Sequence, residues 1–388
     1  MSRRGFSLVE LLIAITIMLI AVALAGALIM AGVNLTRRSD QQIQRSDDAR
    51  FALNEIATAL NQAGSGAPGG IYLNFPTGTP TLYNAVYGMD GSTANGGNLG
   101  TAIDASTSIW NTDDLWIVSA DRNMLGAGCV PGTAGQAGAA TTLVTTGTGI
   151  LKVRCTGDFA ATDTLLASDM TTAALLSPPL TLTAAAAGPP FVPGTIDYSE
   201  SGVSAYSNDP SKGGFQQGDM IYKASVVHYF VADITALGGL GLYRSQGALT
   251  GTAPSGTYPN GPYDRAGRPF VDLDGTAVLV QRNVDDLQVA FALDSTGSGD
   301  PATFTWANGL APAYNGSLRA VRVGVSVRSP TVLLDSNNHT VLSSTTQRKV
   351  LENHFVGPTD KAVPTADGYS RALYSRTVVL PNLAPGSL

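Results

Sequence analysis

The chain has 388 residues, a formal net charge of −6 at pH 7 and only 13% charged residues. This length is sufficient for a substantial core and for two lobes. The acidic balance argues against a nucleic-acid partner, because binding to a phosphate backbone depends on clustered Lys and Arg side chains. Abundant Gly, Thr and Ala with few charges predict β-structure with long loops over most of the chain.

The first 36 residues form the most informative segment. Arg3 and Arg4 precede Gly5, and a single carboxylate, Glu10, precedes 26 uncharged residues, 11–36. A helix needs about 20 apolar residues to cross a bilayer, so this run is long enough to span one. A carboxylate at the edge of hydrocarbon costs on the order of a few kcal/mol unless a partner neutralises it. We therefore expect a positively charged partner for Glu10.

Three interpretations of this segment compete. The first is an uncleaved membrane anchor. The second is a secretory signal peptide with an A-x-A cleavage site at residues 23–25, although the apolar run continues past that site to Val33 and the supposed signal contains Glu10. The third rests on a resemblance: residues 5–10, Gly-Phe-Ser-Leu-Val-Glu, resemble the class III leader of type IV pilins and type II secretion pseudopilins.

That resemblance implies a processing step and a role for Glu10. In the family a prepilin peptidase cleaves after the glycine, here between Gly5 and Phe6, and methylates the new amino terminus, here on Phe6. The new ammonium group would lie one helical turn from Glu10. In the family this glutamate pairs with the terminal amine of a neighbouring subunit. Breaking such a desolvated pair from one side costs about 3–5 kcal/mol, so the pair would set the register of assembly.

No proline precedes Pro68, so nothing in residues 1–67 forces a helix to break. We predict one helix from about residue 6 to residue 63, ended by the Gly- and Pro-containing residues 64–68. Its half 6–36 is apolar all round, whereas its half 37–66 is amphipathic, with Phe51 off the apolar stripe. The stripe has helical spacing and consists of Ala49, Ala52, Leu53, Ile56, Ala59, Leu60 and Ala63.

After a leader at 1–5 and this helix, residues 67–388 are predicted to form a β-rich domain in the periplasm or outside the cell. The segments that read as strands are 114–119, 220–232 (one strand or two), 240–244, 284–293, 318–328 and 374–380. Residues 240–244 follow a glycine turn, as a hairpin partner of the preceding strand would, and residues 318–328 alternate, with Val321, Val323, Val325 and Val327 facing one way. The predicted fold class is α+β: a long N-terminal helix, transmembrane then amphipathic, packed on a mostly antiparallel β-sheet domain with long loops.

Residues 120–218 are rich in Gly, Ala, Thr and Pro, and we interpret them as a loop-rich insertion. The chain's two cysteines, Cys129 and Cys155, lie in this region. In an oxidising compartment a disulfide between them would close a loop and contribute about 3 kcal/mol. Two free thiols are the alternative, because the geometry of the pair cannot be read from sequence.

Catalytic and metal sites find little support in the sequence. The three histidines are His228, His339 and His354, and His228 falls in an apolar strand, where packing is a commoner role than general-base catalysis. No nucleophile elbow, P-loop or zinc motif occurs, and no cofactor is predicted. Two oxygen-rich, glycine-containing turns resemble calcium loops, but neither has the full EF-hand spacing, and we favour ordinary turns between strands; their acidic residues are Asp272, Asp274, Asp294 and Asp300.

Segments further along the chain extend the resemblance. Residues 48–64, 228–244, 284–289 and 319–328 are similar to blocks of PilW-type minor pilins and of their relatives, the J-type pseudopilins. This implies a non-enzymatic minor pilin in the bacterial inner membrane that reaches the pilus and cell surface after assembly. Its implied partners are prepilin peptidase, other minor pilins, the major pilin and a tip adhesin. Two alternatives remain: a J-type pseudopilin of type II secretion, and a tip-displayed ligand-binding module.

Overall fold

A computed structural model describes fifteen segments of the chain: 8–67, 70–73, 81–88, 112–120, 140–147, 150–153, 159–169, 173–176, 181–183, 194–197, 217–249, 270–272, 276–307, 316–330 and 371–383. Several predicted site residues lie outside them, namely Gly5, Phe6, Cys129, Cys155, Asp274, His339 and His354. The chain divides into two compact units, Met1–Asp47 and Asp48–Leu388.

One helix, α1, runs from Leu8 to Gln62. The predicted single long helix is therefore confirmed over the residues described. Three threonine hydroxyls along it, including those of Thr16 and Thr58, donate to the carbonyl four residues earlier, so these side chains do not interrupt the helix. The helix is followed by Gly64 and Gly66, whose φ angles of 67° and 80° lie in the left-handed region that glycine adopts readily.

In the second unit, the last four turns of α1 bury one face. The buried residues include Ile56 and Leu60, both 0% exposed, whereas Phe51 on the other side is 56% exposed. The predicted apolar stripe is thus confirmed at six of its seven positions; Ala59 is only half-buried against the core, and Ala57, which lies outside the predicted stripe, is buried. The full buried set is Ala49, Ala52, Leu53, Ile56, Ala57, Leu60 and Ala63.

The described residues after α1 form eighteen strands. The first ten are β1 (Ile71–Leu73), β2 (Thr81–Tyr83), β3 (Val86–Tyr87), β4 (Leu115–Ala120), β5 (Ala140–Gly147), β6 (Ile150–Val153), β7 (Leu165–Ser168), β8 (Ala173–Leu176), β9 (Thr181–Thr183) and β10 (Gly194–Asp197). The remaining eight are β11 (Met220–Ile234), β12 (Gly239–Leu249), β13 (Phe270–Asp272), β14 (Val278–Arg282), β15 (Val284–Leu293), β16 (Thr305–Ala307), β17 (Leu318–Arg328) and β18 (Arg371–Val379).

The larger sheet contains fourteen strands and is organised around β11. The predicted strand at 220–232 is a single strand of 15 residues. Its first residues pair with β5 and β7, and its later residues pair with β4 and β12. The β11–β12 pair is the predicted hairpin, and all pairings of this sheet are antiparallel except the parallel pair β1–β8.

The smaller sheet has four antiparallel strands in the order β16-β15-β17-β18. On β17 the alternating valines Val321, Val323, Val325 and Val327 are all buried and belong to the main core with the α1 stripe. β18 is tied to β15 across β17 by a buried ion pair, in which Arg371 Nε lies 2.6 Å from Asp285 Oδ2. The predicted alternation of β17 therefore places its apolar side toward the helix.

The segment just before β4 connects the two sheets. The backbone N–H of Asp113 donates to the carbonyl of Leu287 at 2.8 Å, and the Asp113 carboxylate accepts from the N–H of Val289 at 2.8 Å. Both acceptor and donor groups on the smaller sheet belong to β15. Residues 112–114, which directly precede β4 of the larger sheet, are thus hydrogen-bonded to β15 of the smaller sheet. The main core contains residues of both sheets.

The region 120–218 contains six of the strands, β5–β10. Together with Ile221 of β11 it forms a second apolar cluster that includes Leu151, Phe159, Leu165 and Ile196. This part of the region is sheet rather than loop, and it is hydrogen-bonded to the rest of the domain through β5, β7 and β8.

Candidate assembly site

The N-terminal part of α1 presents an apolar surface on all sides. Its large apolar side chains, from Leu8 to Val33, are between 46% and 78% exposed. Residues 11–36 of a helix measure about 39 Å at about 1.5 Å per residue, which exceeds the roughly 30 Å of a bilayer core. Among the described residues this is the one helix long and apolar enough to cross a membrane.

Glu10 occupies the first turn of α1 as the structure describes it. A carboxylate in this position is favoured by the positive end of the helix dipole. Gly5 and Phe6, the predicted cleavage and methylation positions, precede the described residues. The predicted pair between Glu10 and a neighbour's terminal amine stays a prediction.

The C-terminal part of α1 is held by polar contacts on both of its flanks. Arg244 of β12 lies 2.9 Å from Glu55, and Arg376 of β18 donates to the Asn54 side chain at 2.6 Å. Burial raises the pKa of the Tyr229 phenol well above its ordinary value, and the nearby Glu55 carboxylate raises it further. The helix is therefore fastened to the larger sheet on one side and to the smaller sheet on the other.

The end of α1 is held by the last described turn of the chain, Pro381–Leu383. The Asn382 amide donates at 3.1 Å to the carbonyls of both Asn61 and Ala63. Leu383 is 7% exposed and lies against Gly64, where an added Cβ would overlap its Cδ2. The sequence pattern gave no indication of this contact, because its partners lie about 320 residues apart and neither side has a distinctive motif.

His228 is a packed side chain of the larger sheet. It is 0% exposed, its Nε2 lies 3.2 Å from the Asp114 carboxylate, and its ring stacks on Trp116 with a centroid distance of 4.1 Å. A histidine enclosed in this way has no access to a substrate. The sequence could not pair it with Asp114, which lies 114 residues away on another strand.

The calcium candidates fall into three situations. Asp294 accepts hydrogen bonds from the N–H groups of Thr296 and Gly299 and lies 3.6 Å from Arg319, and the Gly299 N–H is the main cause that lowers the pKa of this carboxyl. Asp300 accepts from the N–H of Ala302 and caps a short 3₁₀ turn. Asp272 is described as a backbone position in β13, and Asp274 lies outside the description.

These two loop carboxylates are thus occupied in holding the turn between β15 and β16. Within the described residues, no group of three or more His, Cys, Asp or Glu side chains is arranged to hold a metal ion.

Comparison with known proteins identifies both ends of this architecture. Residues 1–26 match the model of the prokaryotic N-terminal methylation motif, and α1 begins within that match. The apolar helix and this motif are features that the chain shares with type IV pilin-like proteins, whose members are generally structural. Residues 270–382 match the model of the type IV pilus-assembly protein W family, PilW. Over these two segments the chain is similar to PilW-type proteins of the type IV pilin superfamily.

The PilW match extends from β13 to the Pro381–Leu383 turn and so contains the whole smaller sheet. No curated protein sequence matches the chain. Among solved structures, a type IV-like pilin from Thermus thermophilus is similar at 15% identity and a TM-score of 0.21, over 42% of this chain and 69% of that one. The similarity to PilW-type proteins rests on the two sequence models and not on this structural overlap.

Proposed function

We propose that this chain is a minor pilin that docks with other minor pilins to prime type IV pilus assembly and to form part of the tip complex. The observation that carries the proposal is the contrast along α1. A methylation motif leads into a helix whose apolar side chains are exposed all round, and the same helix then packs firmly on a sheet domain.

The exposed apolar half needs an apolar environment in two stages. Burial of apolar surface contributes roughly 25 cal/mol per Å², so side chains such as Leu28 and Met30, 74% and 71% exposed, favour transfer out of water. Before assembly the inner membrane supplies that environment, with the sheet domain on the periplasmic side. In the filament, the helices of other minor pilins and of the major pilin would supply it.

Glu10 would then act as the register device. Prepilin peptidase would cut between Gly5 and Phe6 and methylate Phe6, and the new ammonium group of one subunit would meet Glu10 of the next. A helix displaced by even one turn would leave both charges unpaired in an apolar environment, which costs several kcal/mol. In the exported domain, we further propose a disulfide between Cys129 and Cys155.

The test is a charge-specific substitution read out as filament incorporation. Glu10→Gln keeps the size of the side chain and removes its charge, and Glu10→Ala removes both. We expect the fraction of the protein recovered in sheared filaments to fall about a hundredfold or more, the equivalent of about 3 kcal/mol. Thermal unfolding of the sheet domain should be unchanged. Mass spectrometry of the mature protein should find a methylated Phe6 at the amino terminus in the parent.

Asp40→Ala is the matched control, because Asp40 is an exposed acidic residue on the same helix beyond the apolar run. It should leave incorporation at the parental level. Normal incorporation of both Glu10 variants would contradict the proposal, as would a mature protein that begins at the initiator methionine or near Gly26.

A further inference from the structure

We propose that the turn Pro381–Leu383 is a latch that locks the C-terminal end of α1 onto the sheet domain. Because the turn follows the helix end by about 320 residues, the helix becomes fully anchored only in a chain that extends through residue 383. The structural part of this inference stands on the contacts of the second unit alone. Its consequence for filament incorporation rests on the proposed function.

The polar part of the latch is the Asn382 side chain. The last four carbonyls of an α-helix have no partner within the helix, and a side-chain N–H can satisfy them. Asn382 Nδ2 donates at 3.1 Å to the carbonyl of Asn61, in the last turn, and at 3.1 Å to that of Ala63, just beyond it. An amide is suited to this position because it donates without adding a negative charge at the negative end of the helix dipole.

The apolar part is a mutual fit between Leu383 and Gly64. Leu383 is buried, and the space above the Gly64 Cα is filled by its Cδ2. Gly64 also has a φ of 67°, so any other residue there would be strained as well as blocked. The turn after α1, at Gly64, and the turn Pro381–Leu383 are therefore complementary in shape.

Backbone hydrogen bonds to the sheets hold both the turn Pro381–Leu383 and the end of α1 in place. The N–H of Leu380 donates to the carbonyl of Arg319 in β17, and the N–H of Gly64 donates to the carbonyl of Val118 in β4. Ser65 forms hydrogen bonds with Ala120 through both its backbone and its hydroxyl. The helix end therefore contacts β4 of the larger sheet, and the turn that binds it is hydrogen-bonded to β17 of the smaller sheet.

The order of synthesis means that the contact between the helix end and the turn forms late. The residues it joins are separated by 321 positions for Asn61 and Asn382, so the helix is made and inserted long before its lock. A chain that stops short of the turn lacks the contact that fixes the helix end, so the latch discriminates chains that extend through residue 383 from shorter ones.

Hydrogen exchange on the full-length protein in detergent micelles tests the latch directly. The reporters are the N–H groups of Ala63 and Ser65, which donate to Leu60 and Gln62 at the helix end. Two hydrogen bonds of about 0.5–1.5 kcal/mol each are lost in Asn382→Ala, so exchange at the helix end should accelerate about tenfold. Asn382→Asp is nearly the same shape but replaces the donor with a carboxylate, and we expect it to accelerate exchange further.

That ordering separates the latch from a space-filling role. If Asn382 merely filled space, the isosteric Asn382→Asp would exchange like the parent, and the latch would be refuted. Asn61→Ala is the matched control, because it removes an exposed amide at the same junction and keeps the backbone carbonyl that Asn382 binds. It should leave exchange unchanged.

A pair of truncations provides the second measurement. A chain ending at Leu383 keeps the latch and should exchange at the parental rate, whereas a chain ending at Leu380 should accelerate as Asn382→Asp does. Equal exchange in the two truncated chains would refute the latch. Filament incorporation of the same pair is scored separately. If the helix end loosens but incorporation of the Glu10 variants is normal, then the proposed function fails and the latch stands.

Discussion

The two halves of α1 share one continuous backbone and differ in what surrounds their side chains. In the N-terminal half, apolar residues face every direction and are exposed, such as Ile17 at 62%. In the C-terminal half, apolar residues lie on one face and are buried, such as Ile56 at 0%. The backbone is therefore helical in both environments. The two halves differ in how their apolar side chains are distributed around the helix axis.

This difference also separates two kinds of stability. The C-terminal half is stabilised by the fold of its own chain, through the core and the flanking contacts at Glu55 and Asn54. The large apolar side chains of the N-terminal half are exposed, so they are available to a membrane or to other helices. Substitutions in one half should consequently change the free energy of unfolding, and substitutions in the other should change membrane or filament behaviour.

The largest expected effect comes from a matched pair of isoleucines. Ile56→Ala leaves a cavity in the main core and should lower the free energy of unfolding of the sheet domain by about 2–5 kcal/mol. Ile17→Ala removes the same atoms from an exposed site and should leave that free energy unchanged. Chemical unfolding of the detergent-solubilised protein measures both. Equal losses would show that the two halves are not independent.

A second effect depends on pH, because the folded domain raises the pKa of Tyr229. An unfolded tyrosine ionises near pH 10, whereas the buried Tyr229 beside Glu55 stays neutral. Stability from this group is fully present below pH 10 and is lost as pH rises above it, by up to about 1.4 kcal/mol per pH unit. Denaturant titrations between pH 9 and pH 11 should show this loss. Tyr229→Phe should reduce it.

A smaller effect is expected at the flank of the helix. Arg244→Ala removes the ion pair between Arg244 and Glu55, whose side chains are 47% and 33% exposed, respectively. We expect this change to lower the free energy of unfolding by about 0.2–1 kcal/mol. Added salt should reduce the difference between variant and parent. Arg50→Ala is the control, because Arg50 is an exposed arginine on α1, the helix that carries Glu55. It should leave the free energy of unfolding unchanged. A loss of several kcal/mol would mean that the pair is shielded from water.

The smallest effect should be found at Phe51. Its side chain is 56% exposed on the outer face of the C-terminal half, so Phe51→Ala should change the free energy of unfolding by less than about 0.5 kcal/mol. The neighbouring Leu53→Ala, on the buried face, should cost several times more. The comparison tests the boundary of the buried face within a single helical turn.

Sequence patterns predicted the elements that depend on local periodicity. The apolar stripe from Ala49 to Ala63 and the valine alternation on β17 each carry their environment in residue spacing, so the helix and the smaller sheet were predictable. The strands β5–β10 were not predicted, because short segments of Ala, Thr and Leu lack a clear alternation. Their strand character depends on pairing with β11, with β1 and with one another.

Predictability of the candidate site follows the same division. The motif around Gly5 and Glu10 is local, and the sequence was sufficient to find it. The pairs Asn382–Asn61 and His228–Asp114 join residues separated by 321 and 114 positions. Neither partner is unusual by itself, and only the folded chain brings them together.

β11 pairs with strands from two different parts of the chain, and this limits the sequence changes that the domain can accept. Its first four residues pair with strands of the 120–218 region, and the rest of the strand pairs with β4 and β12 of the remaining domain. Excising the region whole would strip hydrogen-bond partners from β11 and from β1. Variation in this region is therefore constrained by the strands that it supplies to β11 and β1.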